Sequence, residues 1–294
     1  MSKRLEILKT YKIFIGGKFP RTESGRYYQP QSNGKPLGNI CLSSRKDFRN
    51  AVAAARSAFE GWSSRAAFNR SQIIYRIAEI IEGRKEQFIH ELVIQGSSKS
   101  NAAKEVDLSI DRLVYFAGWC DKINQVFGSV NPVSSSHFNF TSLEPMGVVA
   151  IMAPNESSLL GLISTLIPVI ASGNTCVVIS SESHPLCAVT LSEALSTSDV
   201  PGGVVNIITG KRSELLEHVG SHMDVNAVLY ADNDNKEIKQ LQIAAVDNLK
   251  RIIKVKAQNW DSEDNENPYI ISDFMESKTT WHPIEKISGT GTGY

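Results

Sequence analysis

This chain has no surplus of either charge. Its 294 residues carry 31 Lys and Arg against 31 Asp and Glu, a formal net charge of zero. A general binder of nucleic acid or of an anionic membrane relies on a basic surplus, so neither partner is expected. A balanced charge also favours association over colloidal repulsion. Cysteine is scarce: Cys41, Cys120, Cys176 and Cys187 lie far apart and form no CxxC pair. That spacing excludes a zinc ribbon or a disulfide framework. Cys176 falls inside an apolar run and is expected to be a small buried residue. Long apolar runs are absent as well. None approaches the roughly 18 residues of a membrane span, and the opening MSKRLEILKTYKIF lacks the apolar centre of a signal peptide. The expectation is a cytoplasmic protein. The six histidines are scattered. His218 and His222 stand one helical turn apart, but Gly220 intervenes and no third ligand is evident, so no metal site is expected.

What is present centres on Gly147–Gly210. Three short apolar runs, Gly147–Met152, Thr175–Ile179 and Val204–Ile208, are separated by two amphipathic stretches of helical length. This β-α-β-α-β alternation predicts parallel strands with crossover helices, the α/β sheet of nucleotide-binding type.

In chain order, Tyr11–Lys18 reads as a short strand ending in a Gly-Gly turn, and Ser24–Leu42, rich in Gly, Pro, Ser and Asn, as surface loop. Helical spacing then places Phe48, Val52, Ala55, Phe59 and Trp62 on one face, and Ile73, Ile74, Ile77, Ile80 and Ile81 on the next. A third helix over Lys85–Gln95 closes at Gly96. A fourth runs from about Lys104 to Asn124 and carries the core aromatics Tyr115, Phe116 and Trp119. Phe127–Pro145 suggests a hairpin. After Gly210 come a helix over Ser213–Val219, a strand at Ala227–Tyr230 and a helix over Lys236–Lys250 with core positions Ile238, Leu241, Ile243, Ala244 and Leu249. Ser183 is the expected cap of the helix that opens at His184-Pro185. Arg251–Ala257 alternates, with Ile253, Val255 and Ala257 on one face, as in a strand covered on one side. Asp261–Asn267 reads as an acidic linker, Pro268–Phe274 as a strand and Met275–Ile284 as a last edge strand. The Gly-Thr repeats of the tail have no strand before them and no helix after them, so they are not a dinucleotide fingerprint.

In this order, YKIFIGGK, AVAAARSAFEGW, QGSSK with KEVDLSIDRLVYFAGW, EPMGVVAIMAPN, IPVIASGNTCVVI, DVPGGVVNIITG, DVNAVLYAD and ESKTTWHP together resemble the aldehyde dehydrogenase superfamily. The resemblance implies a Rossmann-like doubly wound parallel sheet with an N-terminal helical region and a small oligomerisation sheet. It implies a cofactor-type domain over residues 5–258 with an oligomerisation hairpin at 127–145. A linker at 259–267, terminal strands at 268–285 including an oligomerisation strand, and a flexible tail at 286–294 complete the expected organisation.

Departures from the family pattern bear on function. The family's Pro-Trp-Asn, whose asparagine stabilises an oxyanion, aligns with Pro154-Asn155-Glu156, which sets a carboxylate where a donor is needed; a one-residue shift would bring Asn155 near. The family's Lys-Pro-Ser-Glu, which holds the adenosine ribose, aligns with Ile179-Ser180-Ser181-Glu182. Its Phe-Thr-Gly-Ser aligns with Tyr230-Ala231-Asp232-Asn233, placing a negative charge where phosphate would lie. Its general-base glutamate aligns with Val255. About three dozen residues follow Gln258 and none is cysteine, so the thiol-bearing domain is expected to be missing. No catalytic residue is expected. Glu182, Ser180 and Gly210 are the vestigial cofactor contacts, and NAD or NADP is implied by resemblance alone. The leading expectation is a non-catalytic subunit that associates with itself or with a full-length aldehyde dehydrogenase. The alternatives are an oxidoreductase active only with a partner and a dinucleotide-sensing regulator.

Overall fold

The computed structural model describes residues 7–255 and 259–284. The N-terminal segment opens with the short strands Thr10–Tyr11 (β1), Tyr27–Tyr28 (β2), Gln31–Ser32 (β3), Lys35–Pro36 (β4) and Asn39–Cys41 (β5). The stretch 24–42 is therefore not all surface loop. β5 is the middle strand of a three-stranded sheet, β1-β5-β2, and Ile40, Cys41 and Leu42 are buried.

Four long helices follow: Arg45–Ser63 (α1), Ala67–Gly83 (α2), Lys85–Ile94 (α3) and Lys99–Trp119 (α4). α1 starts where Ser44 and Asp47 form a capping box, each side chain taking the other's backbone N–H. α4 starts one turn earlier than its periodicity suggests, because Ser98 accepts the Asn101 N–H. It ends at Trp119, and Ile123–Phe127 is a separate short helix (α5). Phe48, Val52, Ala55, Trp62, Ile73, Ile74, Ile77, Ile81 and Phe116 are all buried.

The hairpin is Ser129–Asn131 (β6) against His137–Pro145 (β7). The central sheet then alternates strand and helix: Val148–Met152 (β8), Leu160–Ala171 (α6), Thr175–Ile179 (β9), Leu186–Leu195 (α7), Val205–Ile208 (β10), Arg212–Ser221 (α8), Ala227–Tyr230 (β11), Asn235–Ala244 (α9) and Arg251–Lys254 (β12). All five strands are parallel, in the order β10-β9-β8-β11-β12. β8 to β11 are buried throughout, as strands covered on both faces must be. At the edge, Ile252 packs toward one face and Ile253 and Val255 toward the other, so β12 keeps apolar contact on both sides. Lys256, Ala257 and Gln258 lie outside the described residues, as does the tail from residue 285.

Two apolar positions assigned to the core of α9 are not in it. The helix stops at Ala244, a 3-10 turn follows, and Leu249 sits at φ +49 with its side chain fully exposed. Ile243 stands two residues past the buried Leu241, on the opposite side of the helix, and is also largely exposed. Lys250 turns inward instead and donates to the carbonyls of Val219 and His222 at the end of α8. Pro268–Phe274 is not a strand either. Asn267 accepts the Tyr269 N–H at 2.9 Å, and Tyr269–Ser272 (α10) forms a helical turn that buries Ile271. The acidic stretch before it is anchored: Trp260 is buried, and Arg112 of α4 donates to the carbonyls of Trp260 and Ser262 while lying 3.6 Å from the Glu266 carboxylate. Met275–Pro283 (β13) pairs antiparallel with the whole of β7, giving a second sheet in the order β13-β7-β6.

Between α3 and α7 sits a buried carboxylate, Glu91. One oxygen accepts the Thr190 hydroxyl at 2.7 Å and the other, Oε2, has no partner. Burial pushes this acid up to about 7, against the opposing pull of the Thr190 hydrogen bond and Lys9. The folded value lies above the unfolded one, so the fold prefers the neutral acid. Stability present below about pH 4.5 is lost as pH rises toward 7. Glu91→Gln is expected to raise the denaturation midpoint at pH 8 and to leave it nearly unchanged at pH 4.5. An equal shift at both values would refute this account.

Candidate functional site

β8 leads leftward through β9 to β10, and the chain then returns to place β11 on the other side of β8. A sheet with this reversal opens a crevice at the carboxyl ends of the two strands, the place where ligands of open α/β sheets bind. Here the crevice lies between the turn after β8 (Ala153, Pro154, Asn155, Glu156) and the turn after β11 (Ala231, Asp232, Asn233).

Side chains of the chain itself bridge it. Arg212, first residue of α8, is buried and reaches across: Nη1 lies 2.6 Å from Asp232 Oδ2, and Nη2 donates to the Ala153 carbonyl at the end of β8. Its Nε is buried without a partner. Asn155 donates through Nδ2 to the same Asp232 oxygen at 3.1 Å, and its Oδ1 accepts the Glu182 N–H at 3.2 Å. The Asn155 carbonyl accepts the Ser181 hydroxyl at 2.9 Å. Ends of β8, β9 and β11 and the start of α8 are thus joined. Tyr230, the last residue of β11, donates its hydroxyl to Glu237 of α9 at 2.8 Å; burial first, and then Glu237, push its phenol well above the ordinary value.

The helix N-termini beside the crevice are occupied by carboxylates of the chain. At α6, Glu105 Oε1 accepts the N–H groups of Leu159 and Leu160, both at 3.1 Å, and the Ser157 hydroxyl. At α9, Asp234 Oδ1 accepts from Lys236 and Glu237. A free helix N-terminus suits a phosphate because its N–H groups lack partners. Neither of these is free. The residues present do not fit a dinucleotide pyrophosphate.

The three expected cofactor contacts follow the carboxyl ends of the adjacent strands β9 and β10, where the Ser180 N–H donates to the Ile208 carbonyl at 3.0 Å. Glu182 is half-buried and lines an open cleft of about 470 Å³ with Tyr28, Pro30, Gln31, Asn155 and Ser183. Ser180 is fully buried and its hydroxyl turns to the Ser181 carbonyl. Gly210 packs on β5's continuation, where a Cβ would stand 3.1 Å from the Ser43 nitrogen. The Asn155 amide is committed to Asp232, while Glu156 is exposed and lines a small polar cavity with Glu105, Gln95, Ser158 and His184. A hollow of about 770 Å³ lies between α2 and α4, beside Arg65, Tyr75 and Arg76. Ser183 does not cap α7; the Leu186 N–H is taken by Gln95 Oε1 at 3.0 Å.

All four cysteines are buried. Burial pushes the Cys120 thiol up to about 12 and raises those of Cys176 and Cys187 well above the ordinary thiol value. Among the described residues, no group of three His, Cys, Asp or Glu side chains is placed to hold a metal ion. His222 closes α8, and its ring packs edge-on against Phe48 at 5.8 Å. Among the described residues no helix is long and apolar enough to cross a membrane.

Sequence reasoning missed Arg212 and Glu105. Arg212 leaves a faint signal, a basic pair directly after the β10 turn. Glu105 leaves none, because its partners lie 52 to 55 residues further on.

Comparison with known proteins matches this architecture. A sequence profile of the aldehyde dehydrogenase family matches residues 20–253. The cytosolic 10-formyltetrahydrofolate dehydrogenase of Mus musculus is 31% identical over 260 residues, covering 85% of this chain and 28% of that protein. The mitochondrial 10-formyltetrahydrofolate dehydrogenase of Homo sapiens is 31% identical over 252 residues, covering 82% and 27%. Among solved structures, an aldehyde dehydrogenase from Bacillus cereus in complex with NAD+ superimposes with a TM-score of 0.79 at 26% identity, over 84% of this chain and 50% of that one. PnpE from Pseudomonas sp. WBC-3 gives 0.80 at 28% identity, with the same shares covered. The chain spans under a third of those two curated relatives and half of the two structures. With its five-stranded parallel sheet, its helical N-terminal region and its β13-β7-β6 sheet, the chain belongs to the aldehyde dehydrogenase family.

Proposed function

We propose that this chain is a non-catalytic aldehyde dehydrogenase homologue whose role is association, with itself or with a full-length aldehyde dehydrogenase. The observation that carries the reading is the turn after β8. There the resemblance calls for an oxyanion donor; Glu156 offers a carboxylate, and the neighbouring Asn155 amide is bound inward to Asp232. An acceptor at that point opposes the charge that aldehyde oxidation develops. Val255, which the resemblance aligns with the general base, packs on the apolar core. All four thiols are buried away from the crevice chemistry a nucleophile would need, and burial raises those of Cys120, Cys176 and Cys187.

The second sheet supports association. β13 has β7 on one side and, among the described residues, no strand on the other, along nine residues that are mostly exposed. An edge of that length is a template for another strand. On one face of the sheet, Val130, Phe138 and Phe140 share a register group, and the two phenylalanine rings lie 5.6 Å apart. Val130 and Phe138 are 67% and 46% exposed, an apolar stripe that a partner would cover.

Native mass spectrometry at tens of micromolar, alone and mixed with a full-length aldehyde dehydrogenase, is expected to show a dimer or a mixed oligomer. The isolated chain is expected to produce no NADH from aldehyde and NAD+. A strictly monomeric chain in both samples, or aldehyde-dependent NADH, would overturn the proposal.

A further inference from the structure

We propose that the switch-point crevice is self-liganded. The chain's own Arg212–Asp232–Asn155 bridge and its two helix-capping carboxylates fill the place of a dinucleotide and hold the strand ends together instead. Nothing in this inference depends on association.

Two independent features lead to it. The first is the bridge. Arg212 is 3% exposed by side chain and spans from α8 to the ends of β8 and β11, with Asn155 joining the same Asp232 oxygen from the β8 turn. A cation placed there for an incoming phosphate would stand open to solvent; this one is already neutralised by Asp232 and flanked by Glu237 at 3.9 Å. The second is the pair of helix N-termini. Asp234 and Glu105 sit where anions bind at α9 and α6, so the backbone donors that would hold a pyrophosphate are spent. The Asp232 and Glu237 carboxylates lie 2.6 and 3.9 Å from the Arg212 guanidinium, so its one positive charge is already matched by two negative ones. A phosphate would have to displace them.

A plug and an empty pocket give different results on mutation. Removing one member of a buried ion pair strands the other, whereas replacing both by apolar groups restores much of the loss. Calorimetry of the intact chain with NAD+, NADH and NADP+ at millimolar concentration is expected to give no saturable heat. Arg212→Met and Asp232→Leu are each expected to lower Tm by about 5–10 °C. The double variant is expected to recover at least half of the summed loss. If Arg212→Met yields no folded protein, Asp232→Asn carries the same comparison and is expected to lower Tm while still giving no cofactor heat. Saturable binding with a Kd below about 1 mM overturns the inference, as do single variants with unchanged Tm or a double variant that is simply additive. Loss of association with these outcomes intact would leave the crevice as described, so the two proposals fail separately.

Discussion

Gly147→Ala is expected to leave little folded protein. Gly147 enters β8 at φ +137, a conformation that costs a residue with a side chain about 1–3 kcal/mol. An added Cβ would also stand 2.1 Å from Asn226 Oδ1. That amide oxygen is the acceptor for the Val148 N–H at 3.0 Å and for Arg56 at 2.6 Å. Displacing it leaves a buried strand N–H unpaired, about 1–3 kcal/mol more. The Gly147 N–H is itself held by Asn174 Oδ1 at 2.8 Å, so the backbone has no easy way to move aside. The two costs sum to a large share of the roughly 5–15 kcal/mol by which domains are stable. Soluble yield and a urea denaturation curve report the effect. A variant within about 1 kcal/mol of the parent would show that the β8 entry is softer than its contacts imply.

Trp62→Ala is expected to cost about 3–5 kcal/mol, a fall of roughly 10 °C in Tm. The indole closes α1, is fully buried, and packs in the cluster formed by α2, α4 and α6. Its Nε1 donates to the Ile170 carbonyl at 3.0 Å, near the end of α6, so one side chain ties the helical region to the sheet layer. Trp62→Phe separates the two contributions. It keeps most of the apolar volume and drops the hydrogen bond, and is expected to cost about 1–2 kcal/mol. Equal losses for Phe and Ala would mean that the hydrogen bond, not the packing, carries the position.

What the sequence made legible follows from local physics. Thr175–Ile179 and Ala227–Tyr230 appear as strands at their predicted bounds because each is an uninterrupted β-rich run, and the last edge strand ends at Pro283, one residue short of its expected end. The phase of the isoleucines on α2 was readable for the same reason. Leu249 misled because the helix ends at Ala244 without any Gly or Pro to announce it, and Ile243 because it stands on the face opposite Leu241. Ile271 misled because a short apolar run is compatible with strand or helix, and the local bond from Asn267 decided it. The site was less legible than the fold. Asp232 could be recognised as an anomaly, but its partner Arg212 lies 20 residues away and Glu105 caps a helix more than 50 residues downstream. Those pairings exist only once the sheet has brought the strand ends together.

The β13-β7 ladder joins residues as far apart as Thr141 and Thr279, whose hydroxyls meet at 2.9 Å across 138 positions. At a ribosomal rate of about 5–20 residues per second, β7 waits on the order of 7–30 seconds for its partner to be made. Through that interval, while the strands of the central sheet are still being made, the Phe138 and Phe140 stripe is bordered by an unpaired edge. The nascent chain is thus most prone to mispairing just before synthesis of β13, and a chaperone that shields extended apolar segments would act on β7 in that window.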